Sequence, residues 1–332
     1  MTRKGIVLAG TVILDIVHMV DRWPEQESVS LVDRSEYGAG GPPHNAAAGL
    51  ARLQAPFPVS LIGVVGNDSY GDIFCRQAEG YGLETSLIRR RPGAITSHTH
   101  VMTTTGTGRR TFFHQPGVNA TLTAEELLPP HDDAKIFYLG SPGIARGLDE
   151  SGAWRDILKA ARARGYLTAL ELVPVDATAI ARLAPPLLPH ADIVVINDSE
   201  ANAVTGMAVT HDGAWDWERA SQACSRLLDM GVGDVAAIHH PAGAVARRKS
   251  GETACAAAVA VPPQEIVGTV GAGDAFFAGM LFGLHENWPL AQCLALGNAA
   301  AATSLHSATT SASIRPWAEC LAYAQEKGLR PA

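Results

Sequence analysis

The sequence predicts an α/β protein: a mostly parallel central sheet covered by helices on both faces, with a small outlying β-sheet. Three observations lead there. After residue 130, strand-like and helical runs alternate, the pattern of parallel strands joined by crossover helices. The runs at 5–10 and 59–66 are continuously apolar, the mark of strands buried on both faces. Residues 96–113 instead alternate around a glycine turn at Gly106-Thr107-Gly108, a hairpin whose two-sided polarity sets it outside the main core.

In chain order, the first buried strand at 5–10 is followed by Asp15 inside the apolar stretch 12–17. An acid there is either solvent-facing or a ligand at a strand's end. Residues 28–37 alternate loosely, as a strand of the accessory sheet would. Gly38-Ala39-Gly40-Gly41-Pro42-Pro43-His44-Asn45 then precedes helical spacing over 46–53. Adjacent glycines let backbone approach a ligand closely, and Asn45 offers both donor and acceptor. The same stretch also fits a loop with Asn45 as N-cap. After the strand at 59–66, Asn67, Asp68 and Gly71 lead into a helix ending near Gly80. Later strand-like runs lie at 136–139, 167–172, 193–196 and 235–238, with helical patterns at 153–163 and 215–230. Residues 244–247 and 254–261 suggest an antiparallel pair near one edge. From Asp274 the pattern is helical through Phe282, and again over 290–302.

The chain has 332 residues, enough for one large α/β domain or two medium ones, and an apolar fraction of 47% supports a sizeable core. A formal charge of −7 and a pI near 5.9 argue against nucleic acid or an anionic membrane as partner. The basic runs 89–91 and 247–249 are short and read as solvated rims. Five scattered cysteines without CxxC spacing fit reduced thiols in a cytosol. The start of the chain reads directly as a strand, and no apolar stretch approaches the ~20 residues that span a bilayer, so the expectation is a soluble, cytoplasmic protein.

The stretch that carries most chemistry is Val267-Gly268-Thr269-Val270-Gly271-Ala272-Gly273-Asp274-Ala275-Phe276. A β-branched, extended lead-in meets a glycine-rich turn and then a helix N-terminus, where free amides and the helix dipole favour an anion. Asp274 at its mouth suggests proton transfer, with the amides holding charge that develops during reaction. A tight strand-to-helix turn with Asp274 near the N-cap is the plainer alternative. Asn197-Asp198-Ser199-Glu200 begins where a strand stops, at the sheet edge where open α/β folds bind ligands. Asn197 and Glu200 could position hydrated Mg²⁺ beside phosphates, or could form a capping box. GxxxxGK[ST], HExxH and GxSxG are absent, and the dinucleotide fingerprint fails at Phe276. His239-His240, at a strand end, read as loop or rim residues.

In this order, Gly40-Gly41-Pro42-x-x-Asn45-x-Ala47, Asn197-x-x-Glu200 and Gly271-Ala272-Gly273-Asp274 resemble the ribokinase-like (PfkB-type) carbohydrate kinases. Gly66-Asn67-Asp68-x-x-Gly71, Asp15 and Asn298 fit the same pattern, which runs from Gly5 to about Ser313. The resemblance implies a three-layer α/β/α ribokinase-like fold, a single domain over 1–332, with a small β lid formed by about 12–40 and 96–116. It implies an ATP-dependent phosphotransferase acting on a primary hydroxyl of a sugar or sugar-like substrate. Asp274 would be the base, and the Gly271, Ala272 and Gly273 turn with the Asp274 amide would be the anion hole. Asp15, Gly40, Gly41 and Asn45 would hold sugar hydroxyls. Asn197 and Glu200 would hold Mg²⁺ through water, and Thr269, Gly243 and Asn298 would flank the nucleotide. The lid could pair two subunits as a homodimer.

Departures from the pattern bear on substrate and ions. Gly268 stands where the family carries an acid that helps bind a monovalent cation. Ile238-His239-His240-Pro241-Ala242-Gly243 replaces the usual Thr-Leu-Gly-x-x-Gly. Leu139-Gly140-Ser141 lacks a sugar-binding glutamate, and Leu170-Glu171-Leu172-Val173-Pro174 replaces an Asp-x-Asn-x-Arg type run. A nucleoside kinase of the same fold, a sugar-binding regulator without catalysis and an NAD-dependent dehydrogenase are the competing readings.

Overall fold

The computed structural model describes residues 3–107, 109–130, 133–173, 175–211, 214–307 and 309–331; Gly108 of the hairpin turn and Pro174 lie outside the described residues. The chain runs through β1 (Ile6–Ala9) into a small sheet by β2 (Ile13–Val20) and β3 (Val32–Gly40), and returns in α1 (Pro42–Arg52). After β4 (Val59–Gly66), α2 (Ser69–Gly80) and β5 (Ile88–Arg91), it makes a second excursion in β6 (His98–Thr104) and β7 (Arg110–Gln115). Helix α3 (Ala124–Leu127) leads to β8 (Ile136–Leu139), α4 (Arg146–Ser151), α5 (Trp154–Ala163), β9 (Leu167–Glu171), α6 (Ala177–Leu183), β10 (Ile193–Asn197) and α7 (Asp198–Thr205). A short ladder, β11 (Thr210–His211) with β12 (Ala214–Trp215), precedes α8 (Trp217–Asp229), β13 (Val235–His240), β14 (Gly243–Arg248) and β15 (Thr253–Ala257). The chain ends in α9 (Ala272–His285), α10 (Leu290–Ser304) and α11 (Trp317–Lys327).

Among the described residues, nine strands form the main sheet in the order β15-β14-β13-β10-β9-β8-β1-β4-β5. All pairs from β13 to β5 are parallel; only β13–β14 and β14–β15 are antiparallel. Successive strand residues point to opposite faces, so a continuous apolar run feeds two cores at once. Ile6 and Leu8 pack with Leu50 of α1, Phe74 of α2, Phe276 of α9 and Leu294 of α10. Val7 and Ala9 pack on the other side with Trp154 of α5, Ile180 of α6 and Leu227 of α8. Each such fully buried side chain contributes roughly 1.5–3 kcal/mol. The result is the three-layer α/β/α arrangement.

The helices that will matter most are packed closest. A Cβ on Gly49 of α1 would lie 2.7 Å from the Ala278 Cβ of α9, and one on Gly279 of α9 would lie 2.7 Å from the Gly297 Cα of α10. At Gly279–Gly297 backbone meets backbone, and at Gly49 only the Ala278 methyl lies between the helices. The small sheet has the order β3-β2-β6-β7, with β2–β6 parallel and the outer pairs antiparallel. It leaves Trp23, Tyr37, Phe112 and Phe113 exposed.

Several local readings change. Arginines 89–91 are a rim, with Arg89 and Arg90 exposed, and they are also strand: they form β5 at the edge of the sheet, hydrogen-bonded to the end of β4, with Arg90 2.7 Å from Asp72 and Arg91 2.6 Å from Glu126. The lead-in at 267–270 belongs to no ladder; the amides of Val267 and Gly268 donate to the Leu305 carbonyl at 2.8 and 3.2 Å. The strand at 254–261 shortens to β15. Helices α6 and α11 fall outside the helical patterns read from the sequence. Among the described residues, no helix is long and apolar enough to cross a membrane.

Candidate active site

Gly271, the N-cap of α9, has φ 79°, a left-handed conformation that suits glycine, and a Cβ there would lie 2.5 Å from the Thr310 Cβ. This residue ends the irregular lead-in and starts the helix in one step. The first i→i−4 bond of α9 runs from the Ala275 amide to the Gly271 carbonyl at 2.9 Å. The Ala272 amide donates weakly to the Thr269 carbonyl at 3.4 Å, and the amides of Gly273 and Asp274 follow it as the orphan donors of the helix end, with the positive end of the dipole behind them.

Asp274 is gripped by its neighbours. The Asn45 side-chain amide donates to Oδ2 of Asp274 at 2.8 Å, and Asn45 Oδ1 accepts from the Thr310 hydroxyl at 3.1 Å. Helix α1 presents Asn45 there because it starts at Pro42, directly after Gly41. Gly41 has φ 92° and packs against the Thr11 carbonyl. Burial pushes the Asp274 carboxyl up to about 6, against hydrogen bonds from Asn45 and Glu171 that lower it.

Asp15 lies within β2, across from Gly38 and beside Thr99, rather than at a strand's end. Burial raises it to about 6, opposed by the Thr99 hydrogen bond. A Cβ on Gly40 would come within 2.8 Å of Asp15 Oδ2, so the glycine leaves this carboxylate open. Gly40 faces Asp15, Gly41 caps the helix that carries Asn45, and Asn45 meets Asp274, so these five residues form one continuous group where the small sheet meets the α1–α9 pair, the candidate acceptor cleft.

On the other side of the α9 N-terminus is a cavity of about 380 Å³, lined in part by Asn197, Thr269, Ala272, Gly273 and Asn298. The Asn298 amide is fixed by the Ala256 and Ala257 carbonyls, each at 3.1 Å. Gly243 is not among its lining residues: it sits at the tight β13–β14 turn, where a Cβ would strike Trp217 at 2.5 Å. His239 and His240 do line the cavity, so they are not rim residues. The His239 ring lies 5.1 Å from Phe276 and against Gly273, and burial lowers it to about 4; His240 stacks on Trp215 at 4.9 Å. Strand β13 runs parallel to β10 with His239 in register with Asn197, and the His239 ring lies beside Gly273 in the first turn of α9.

Asn197 and Glu200 form the capping box of α7: the Asn197 amide donates to Glu200 Oε2 at 2.9 Å and the Glu200 amide to Asn197 Oδ1 at 2.8 Å. Burial, with the charges of Asp198 and Asp274, raises Glu200 to about 7 even though the Asn197 hydrogen bonds lower it. Acids therefore converge on the seam between cleft and cavity. An oxygen-rich, anionic seam suits a hard, hydrated dication, and among the described residues no group of three or more acidic, His or Cys side chains forms a cage for one. Donors already committed to a capping box fit Mg²⁺ held through water.

A residue missed by the sequence reading stands beside Asp274. Glu171, at the end of β9, accepts a hydrogen bond from the Tyr138 hydroxyl and contacts Asp274. Burial and the charges of Asp274 and Glu200 hold its carboxyl well above the usual carboxylate range. Its sequence signal was an acid in an apolar strand, read only as a departure from a family run.

A model of the pfkB family of carbohydrate kinases matches residues 3–317, and the chain belongs to that family. It is 26% identical to a 5-dehydro-2-deoxygluconokinase of Geobacillus thermodenitrificans over 91% of this chain and 87% of that one. It is 24% identical to a ribokinase of Staphylococcus aureus over 95% and 97%. Among solved structures, Arabidopsis thaliana ribokinase complexed with ribose and ATP superposes with a TM-score of 0.78 at 22% identity, over 98% of this chain and 99% of that one. A nucleoside kinase of Methanocaldococcus jannaschii reaches 0.76 at 17% identity over the same shares. These likenesses show the ribokinase fold; the family match shows a sugar kinase.

Proposed function

We propose that the protein transfers the γ-phosphoryl group of ATP to a primary hydroxyl of a sugar or sugar-like compound. The observation that carries this is the placement of Asp274 on the seam between two spaces. Its carboxyl is tied to Asn45 in the cleft, while the first turn of its own helix opens on the 380 Å³ cavity. The acceptor would lie in the cleft, with Asp15 and Asn45 holding its hydroxyls beside Gly40 and Gly41. The nucleotide would lie in the cavity, with Thr269 and Asn298 along it and the Gly243 turn behind.

Asp274 takes the proton of the acceptor hydroxyl as its oxygen attacks the γ-phosphorus. The bond to the bridging oxygen breaks and ADP leaves. The amides of Ala272, Gly273 and Asp274 hold the charge on the transferring group, and such positioning with charge stabilisation is most of what phosphoryl transfer needs. Mg²⁺, held by water-mediated contacts to Asn197 and Glu200, would neutralise phosphate charge next to the acids of the seam. Gly268 gives its amide to Leu305 and brings no carboxylate to a monovalent-cation site. The small sheet acts as a lid that keeps water from the transferring group. Its exposed Trp23, Phe112 and Phe113 fit a second copy of this chain.

The test is a panel of sugars and nucleosides with ATP, read by ADP release. Turnover on sugars is expected. Turnover on nucleosides alone would replace the acceptor class, and sugar binding without any turnover would make the chain a regulator.

A further inference from the structure

We infer that Arg330 is a nucleotide-binding residue, its guanidinium pairing with a phosphate of the nucleotide that is not transferred. This rests on the reading of the 380 Å³ cavity as the nucleotide site. Helix α11 stops at Lys327, where Gly328 follows with φ 71°, a positive value that suits glycine and turns the chain out of the helix. The next residues run antiparallel to 258–260. The Ala260 amide donates to the Gly328 carbonyl at 2.9 Å, the Arg330 amide donates to the Ala258 carbonyl at 2.8 Å, and Val259 bridges to Leu329. Side chains of an extended segment alternate in direction. Leu329 borders a second cavity with Leu321 and Ala324 of α11, and Arg330 borders the first, beside Ala258 and Val259.

The charges around this cavity give the guanidinium its purpose. Among the described residues that line it, Arg330 is the one with a permanent positive charge, and Asp198 is the one carboxylate. Val261, Ile266 and Leu305 give the cavity an apolar wall, which suits a base, and Gly273 gives it the start of α9. Burial lowers the His240 pKa, Asp198 opposes that and the Arg330 charge adds to it, so the guanidinium stands on the side of the cavity where His240 does. A nucleoside triphosphate carries several negative charges, and the amides at the start of α9 can hold only the group that is transferred. The remaining phosphates need a cation, and the planar fork of an arginine matches two phosphate oxygens at once. Among the described residues no side chain occupies the Arg330 guanidinium, so it is free for that contact.

The experiment compares Arg330→Ala, Arg330→Lys and Ala301→Phe with the parent. It measures binding of ADP and of adenosine by calorimetry in excess sugar at low and high salt, KM for ATP and for the sugar, and Tm. Arg330 is exposed, so its variants should keep the parental Tm. Alanine should weaken ADP binding and raise KM for ATP by ~5- to 30-fold, the loss of a charge-assisted contact open to water, with adenosine binding and KM for the sugar unchanged. Lysine should recover part of the loss, and the loss should shrink at high salt. Parental ADP binding in Arg330→Ala would overturn the inference, and so would an equal loss for adenosine, which has no phosphate. If adenosine binds too weakly to register, an ADP loss of the same size at both salt concentrations overturns it. Ala301→Phe brings a ring into the cavity from α10 and should weaken ADP binding with Arg330 intact. Parental ADP binding in that variant would instead remove the nucleotide reading of the cavity, so the two failures stay distinct. If it does not fold, Thr269→Trp at an exposed lining position decides by the same criterion.

Discussion

As the proposed base, Asp274 would have to be ionised to accept a proton, and a pKa of about 6 puts that requirement inside the measurable range. Initial rates should therefore rise with pH through about 6 and level off above it. Asp274→Asn should lower kcat by ~10²-fold or more while leaving sugar binding, read by calorimetry, largely in place. A second consequence concerns stability. The folded values of Asp15 and Glu200, about 6 and about 7, lie above the ordinary carboxylate range, so the folded chain binds more protons than the unfolded one between those limits. Their contribution is present at low pH and is lost as pH rises through 6 to 7. Glu200→Gln should accordingly raise the Tm of the unliganded protein at pH 8 relative to pH 5; an equal effect at both values would contradict the linkage. Asp274 and Asn45 were legible in the sequence because each sits in a short glycine-rich turn whose spacing is local. Glu171 was not, because what gives it meaning is contact with a residue far along the chain.

At the scale of elements, the turn into α9 does the most with the fewest residues. Gly271→Ala forces a side chain into a φ of 79° and onto Thr310, which should cost ~1–3 kcal/mol of stability and displace the amides as well. Denaturant melts together with KM for ATP would register both effects. Asn197→Ala opens the α7 capping box, at a cost of ~1 kcal/mol. Elements buried on both faces, such as β1 and β4, were readable because burial imposes continuous apolar runs. The arginines of β5 concealed an edge strand, since pairing on one side tolerates charge on the other. The β-branched residues at 267–270 looked like a strand, but local composition carries no information about whether a ladder partner exists.

At the scale of the molecule, the small sheet is the part with unfinished packing. Trp23 stacks on Phe113 at 6.2 Å, and both remain exposed, beside Phe112. If a second copy covers them, Phe112→Ser with Phe113→Ser should convert a dimer into a monomer by sedimentation, with the Tm of the main body little changed. Monomeric parent protein at micromolar concentration would refute the pairing. The layer architecture followed from patterning alone, whereas the assembly of cleft and cavity depends on which helices touch.

That contact has a consequence for how this enzyme can diverge. Where α1 meets α9, Gly49 lies on the Ala278 methyl, and where α9 meets α10 backbone lies on backbone at Gly279–Gly297, so there is next to no side chain to trim and no room to enlarge one. The spacing between Asn45 and Asp274 is thus a fixed gauge. Under the proposed reading, substitutions that change which acceptor is used are expected on β2, β3, β6 and β7, where side chains have room to change. If the proposed roles hold, reaction and preference lie in separate parts of the fold, and a laboratory search for new acceptors should randomise the small sheet and leave the helical seam untouched.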